Sequence, residues 1–370
     1  MNPLSRDRMP LLFSTALVVA GLASQQLAAL AAIEVEPLPA ASVSIPIESK
    51  HRGVGWQASP EVITADHLRP LQAVQVNWIA QTPFGWQRDL STPRIRLATD
   101  GRVFWGETDV GLATTARLAR AQGIETLLKP HIWVGGKFRG DIAMTSEKDW
   151  RAWFDSYREF ILHYARFAEE HGIQVLCVGT ELHRTVVEKP QEWRQLIAAI
   201  RQVYSGKLTY AGNWYREFEE VPFWDDLDYI GIQAYFPLQD TNGSTVEALR
   251  AGWKEPLDRI RRLSARFGKP VLITEIGYRS VGHAARKPWE WPEHGEAAPV
   301  DLETQRNCYQ AFFDEVWPEP WLAGVYWWKW SPTTLETGAA DNTGFSPQFK
   351  PAREVLKTHF DRAAHSPASP

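Results

Sequence analysis

Cysteine is almost missing from this chain, with only Cys177 and Cys308 among 370 residues. Two thiols cannot form a disulfide framework, and neither has neighbours at metal-ligand spacing. An excess of positive charge is missing too, because 40 Lys and Arg face 44 Asp and Glu for a net charge of -4. A nucleic-acid footprint is thereby excluded as a main function, as is attraction to an anionic membrane surface. Neither a G-x-G-x-x-G fingerprint nor a P-loop occurs, so no phosphate-bearing cofactor is implied. No cofactor and no metal are expected.

What is present begins with an export signal. Arg6 and Arg8 precede the apolar run Leu11 to Leu22, and the small residues around Ala29 and Ala31 suit a signal-peptide cleavage site. Residues 1–32 are therefore expected to be removed, leaving a periplasmic or extracellular chain with no stable membrane insertion. Retention as an anchor is the alternative, although Gln25 and Gln26 interrupt the apolar span. Residues 33–50 read as a Pro-, Ala- and Ser-rich spacer, 51–360 as one domain, and 361–370 as a disordered tail.

Within that domain, short β-rich runs alternate with helical patterns, the signature of parallel βαβ units. Strands are predicted at 53–56, 74–80, 125–132, 174–181, 207–213, 229–235, 271–276 and 323–330. Core-facing helices show in Trp150, Phe154, Tyr157, Ile161 and Tyr164, and again in Trp193, Leu196, Ile200 and Tyr204, at spacings of three and four. Eight units in series predict an α/β fold that closes as a single (β/α)8 TIM barrel. On that fold Cys177 and Cys308 fall on opposite sides and cannot bond.

Tryptophan is in surplus, at 18 residues. Most should pack in the core, but the flat indole also fits the apolar face of a sugar ring. Long loops bearing aromatics, at 81–107, 133–146 and 280–300, are expected to shape a cleft.

Two predicted strands end in glutamate: Val175-Leu176-Cys177-Val178-Gly179-Thr180-Glu181 and Val271-Leu272-Ile273-Thr274-Glu275. Side-chain alternation sets Glu181 with Cys177 and Val175, and Glu275 with Ile273 and Val271, pointing both carboxylates into the barrel mouth. Such a pair suits glycoside hydrolysis, which needs a proton on one side of the bond and an attack on the other. Each glutamate could instead salt-bridge a rim cation. Lys129 and His131 share one predicted strand face and reach the same mouth. Asn213 at the fifth strand end is a candidate hydroxyl ligand or a loop cap. Trp328 and Trp330 share parity on the eighth strand, with Trp328 the expected sugar platform and Trp327 packing outward.

The stretches Val178-Gly179-Thr180-Glu181-Leu182, Ile273-Thr274-Glu275-Ile276-Gly277-Tyr278-Arg279-Ser280 and Asp228-Tyr229-Ile230-Gly231-Ile232-Gln233-Ala234-Tyr235-Phe236 resemble glycoside hydrolase family 113. Leu128-Lys129-Pro130-His131 and Tyr210-Ala211-Gly212-Asn213-Trp214 extend that resemblance over most of residues 53–350. The family belongs to the retaining clan A barrels and is known for β-1,4-mannanases. By this resemblance Glu181 is the acid/base and Glu275 the nucleophile, Tyr235 hydrogen-bonds that nucleophile, and Lys129 and His131 surround the reactive sugar. Thr180 departs from the Asn that many clan members carry before the acid/base, so the contact to the substrate 2-hydroxyl must come from elsewhere. The partner implied is a polysaccharide or oligosaccharide. Glucan or xylan hydrolysis on the same machinery, or a barrel that binds carbohydrate without cleaving it, are the rival readings.

Overall fold

The computed structural model describes residues 43–97, 103–291, 298–333 and 342–366. The expected signal at 1–32, the spacer up to residue 42 and the last four residues of the tail lie outside them. Eleven strands occur among the described residues. Eight close a parallel barrel in the order β1 (His51–Trp56), β2 (Trp78–Gln81), β5 (Glu125–Leu128), β7 (Val175–Thr180), β8 (Lys207–Asn213), β9 (Tyr229–Gln233), β10 (Val271–Ile276) and β11 (Leu322–Trp330), which returns to β1. Helices fill the connections, as in a (β/α)8 TIM barrel. No helix of the described residues is long and apolar enough to cross a membrane.

The remaining strands, β3 (Phe84–Gln87), β4 (Ile95–Leu97) and β6 (His131–Val134), form a separate three-stranded sheet ordered β4-β3-β6. One continuous strand over 125–132 is therefore not observed. Pro130 has no N–H to give a ladder, and the chain leaves the barrel after Leu128 and re-pairs with β3 from His131.

Two apolar layers hold the barrel. Ala80, Leu127, Val175, Cys177, Ala211, Leu272, Ala323 and Tyr326 cluster within it, while the opposite strand faces pack under the helices. The helix Glu147–Glu170 shows how sequence builds the outer layer. Ser146 caps it by accepting the Asp149 N–H, and its periodic face buries Trp153, Tyr157, Phe160 and Tyr164. The Tyr157 hydroxyl donates to the Val178 carbonyl at 2.8 Å, tying that helix to β7. Each such fully buried aromatic contributes about 1.5–3 kcal/mol of transfer free energy.

Both ends of the domain extend past the boundaries read from composition. Ile47–Ser49 is a 3-10 turn, the Ile45 N–H pairs with the Pro320 carbonyl, and buried Lys50 donates to the carbonyls of Trp317 and Glu319. Residues 43–50 thus belong to the folded body, because Lys50 satisfies carbonyls at the bottom of the barrel. The last helix runs Pro351–Ala364 and buries Phe360 and Ala363, beyond residue 360. Both cysteines are free and buried.

Candidate active site

Glu181 follows the last residue of β7 and adopts a left-handed backbone, with φ of 53°. Such a conformation costs about 1–2 kcal/mol in a non-glycine residue and is found where function over-determines the geometry. A register irregularity between Cys177 and Thr180 against β8 precedes it. Arg139 Nη1 donates to Oε2 at 2.5 Å and Asn213 Nδ2 to Oε1 at 2.7 Å, so each oxygen has a donor.

Glu275 reaches the mouth by a different route from simple alternation. Leu272 faces the barrel interior, while Val271 and Ile273 pack outward, the reverse of the predicted faces. A bulge between Ile273 and Glu275 resets the register, so that Ile273 pairs with Ile232 but Glu275 pairs with the next residue, Gln233. The extra residue re-aims the carboxylate, a common use of bulges beside functional sites. Tyr235 Oη donates to Oε1 at 2.7 Å and Lys129 Nζ to Oε2 at 2.6 Å. Burial and the Glu275 charge push the Tyr235 hydroxyl well above its ordinary pKa, so it stays a donor. Lys129 is 1% exposed and also donates to Gln233 Oε1 and the Thr274 carbonyl.

Both carboxylates line one cleft of about 790 Å³. His131, Asn213, Gln233, Tyr235 and Trp328 line it with them. His131 is buried with its pKa pushed well down by desolvation and by the nearby Arg139 and Lys129, and Nε2 has no protein partner. Asn213 takes the loop-cap role, with Oδ1 accepting the Tyr215 N–H at 2.8 Å, while Nδ2 serves Glu181, a contact not expected from the sequence.

Trp330 does not join them. It is 1% exposed and lies away from the cleft, because the β1–β11 register slips between Val54 (paired with Trp327) and Trp56 (paired with Trp330). Strict parity with Trp328 therefore fails. Trp327 packs outward, stacked on Tyr309 at 3.8 Å. Ten of the eighteen tryptophans are buried and five line the cleft, which accounts for most of the surplus. Thr180 is buried, with Oγ1 directed to the Pro130 carbonyl at 3.3 Å and away from the cleft.

Beneath Asn213 lies a network that strand patterning does not reveal. Fully buried Glu217 accepts from Tyr210 Oη at 2.5 Å and from the Asn213 N–H at 2.8 Å, and Tyr210 Oη accepts the Leu182 N–H at 2.7 Å. Burial outweighs the two donated bonds and pushes the Glu217 carboxyl up to about 8. Arg139 was equally hidden, since only the folded loop 133–146 carries it to Glu181. Among the described residues, no group of three or more His, Cys, Asp or Glu is placed to hold a metal ion.

The model of glycoside hydrolase family 113 matches residues 55–350. The chain belongs to that family. It is therefore a glycoside hydrolase, with a glycan as its substrate. Among solved structures, a family 113 β-mannanase from Alicyclobacillus acidocaldarius in complex with ManMIm is 26% identical, with a TM-score of 0.75 over 88% of this chain and 100% of that one. A second family 113 β-1,4-mannanase is 25% identical, with a TM-score of 0.72 over 84% of this chain and 99% of the other. The barrel alone is shared with a Bifidobacterium dentium β-glucuronidase, at 15% identity and a TM-score of 0.53 over 86% of this chain and 46% of that one. No curated protein sequence matches the chain.

Proposed function

We propose that this family 113 hydrolase is exported and cleaves β-1,4-linked mannan or manno-oligosaccharides by double displacement with retention. The observation that carries the reading is that two glutamates from the fourth and seventh barrel strands line one cleft, each oriented by one cation and one neutral donor. Glu275, oriented by Lys129 and the Tyr235 hydroxyl, serves as the nucleophile. Glu181, which follows the fourth barrel strand, serves as acid and then base.

In the first step a Glu275 oxygen bonds to the anomeric carbon while the bond to the leaving oxygen breaks, and Glu181 gives its proton to that oxygen. In the second step Glu181 takes a proton from water, the water oxygen bonds to the anomeric carbon, and the ester to Glu275 breaks. Both carboxyls end in their starting states. Trp328 supplies the apolar platform under the reacting sugar, and His131 and Asn213 meet its hydroxyls, since Thr180 is turned away. The mannan preference is supported by the two family 113 β-mannanases among the similar structures.

The test is hydrolysis of a polysaccharide panel by the purified protein. Reducing ends should appear on β-mannan at rates well above those on β-glucan and xylan, with the β-anomer formed first by NMR. Preferred cleavage of glucan or xylan would contradict the substrate, and a first-formed α-anomer would contradict the mechanism.

A further inference from the structure

The small sheet β4-β3-β6 has one buried face and one open face, and the open face is aromatic. Gly85 and Gln87 point inward: a Cβ on Gly85 would stand 2.7 Å from Phe160, and Gln87 Oε1 accepts the buried Trp153 Nε1–H at 2.9 Å. The sheet is thereby clamped onto the helix Glu147–Glu170. Alternation sends Phe84, Trp86, His131 and Trp133 to the other face, where register sets Phe84 beside His131 and Trp86 beside Trp133.

Those four rings form a continuous path. His131, in the cleft beside the carboxylates, meets Phe84 at 5.5 Å; Phe84 meets Trp133 at 6.3 Å; Trp133 meets Trp86 at 6.0 Å. His131 and Trp133 line the cleft, whereas Trp86 stands past its edge. His131 at the inner end of the path is 6% exposed, whereas Trp133 and Trp86 at the outer end are 44% and 37% exposed. A cross-strand aromatic pair stabilises a sheet by only about 0.2–1 kcal/mol, and burial would serve that purpose better than exposure.

We infer that Trp86 and Trp133 form a distal binding platform for a polymeric β-linked mannan chain, continuing the catalytic cleft beyond its edge. The occupant follows from the proposed function above, on which this inference rests, and from the continuity of the path with the cleft. A neutral glycan has apolar ring faces for two tilted indoles and no charge to be matched. Phe84 and His131 rise after the second and third barrel strands, whereas the stacked cleft pair Trp214 and Trp289, 5.0 Å apart, follows the fifth and seventh. Aromatic surfaces thus flank the carboxylates from opposite arcs of the barrel, an arrangement suited to attack within a chain.

Binding to insoluble β-mannan by E275Q and E275Q/W86A tests this, with wild-type hydrolysis of the same mannan measured in parallel. Trp86→Ala should weaken binding about tenfold, Trp86→Phe should keep it within about threefold, and the Trp86 indole N–H resonance of E275Q should shift on titration with mannohexaose but not with mannobiose. In the wild-type background, Trp86→Ala should lower the ratio of kcat/KM on polymer to that on an aryl mannoside about tenfold. Equal binding by E275Q and E275Q/W86A, no binding by E275Q, or an unmoved Trp86 resonance would overturn the platform. Hydrolysis of mannan alongside Trp86-independent binding would refute the platform alone; Trp86-dependent binding without hydrolysis would refute the proposed activity alone.

Discussion

Lys129 donates its ammonium proton to Glu275 Oε2 across the barrel mouth at 2.6 Å, from a side chain 1% exposed to solvent. The two residues come from opposite sides of the ring, the third and seventh barrel strands, so this bond depends on closure of the barrel and reports on it. Lys129→Met keeps the unbranched stem as far as Cε but leaves Glu275 without its cation. Removing one partner of a buried pair costs about 3–5 kcal/mol, and the opening of Glu275 to the cleft puts the expected loss at the lower end. Thermal unfolding should show that loss, and kcat should fall about 100-fold or more, in the range of removing one preorganised electrostatic donor.

Asn213→Ala tests the contact to the other carboxylate. It removes the Nδ2–H that holds Glu181 Oε1 and the cap on the Tyr215 N–H. A loss of about 1 kcal/mol of stability is expected from the cap and the hydrogen bond. Steady-state kinetics should show kcat/KM lowered about 10- to 100-fold, well beyond what that loss of stability explains.

Much of this was legible before the fold was known, and the failures have identifiable causes. Strand ends in glutamate, eight β/α units and helical stripes such as Trp150–Phe154–Tyr157 come from hydrophobic period, which dominates where a strand or helix is half-buried. Glu275 was placed at the mouth by an alternation that does not hold, because the bulge after Ile273 supplies the missing half-turn. Parity likewise fails to locate Trp330, since register slips are set by neighbouring strands and leave no mark on residue parity. The sheet β4-β3-β6 is not legible as strands in the sequence because its members are only three or four residues long. Arg139 and Glu217 reach the site only through tertiary contact.

Glu217 gives the fold a specific pH dependence. Its carboxyl is pushed up to about 8 by burial, against 4.5 for the ordinary group. Between those values the folded chain keeps a proton that the unfolded chain releases, so this group's stabilising contribution is complete below about 4.5 and is lost as pH rises through about 8. The interval corresponds to a change of at most about 5 kcal/mol. Glu217→Gln holds no ionisable proton, and the difference between wild-type and variant unfolding free energies, measured by denaturant titration from pH 4 to 9, should drift by several kcal/mol in the variant's favour. A difference independent of pH would show that the carboxyl ionises alike in both states.

The assignment of Glu275 as nucleophile is tested most directly by trapping the intermediate with 2-deoxy-2-fluoro-β-mannosyl fluoride and recording the mass of the intact protein. A stoichiometric gain of one fluorosugar is expected, located by peptide mapping on Glu275 and absent from E275Q. Labelling of Glu181, or no adduct from an enzyme that nonetheless hydrolyses mannan with inversion, would contradict it.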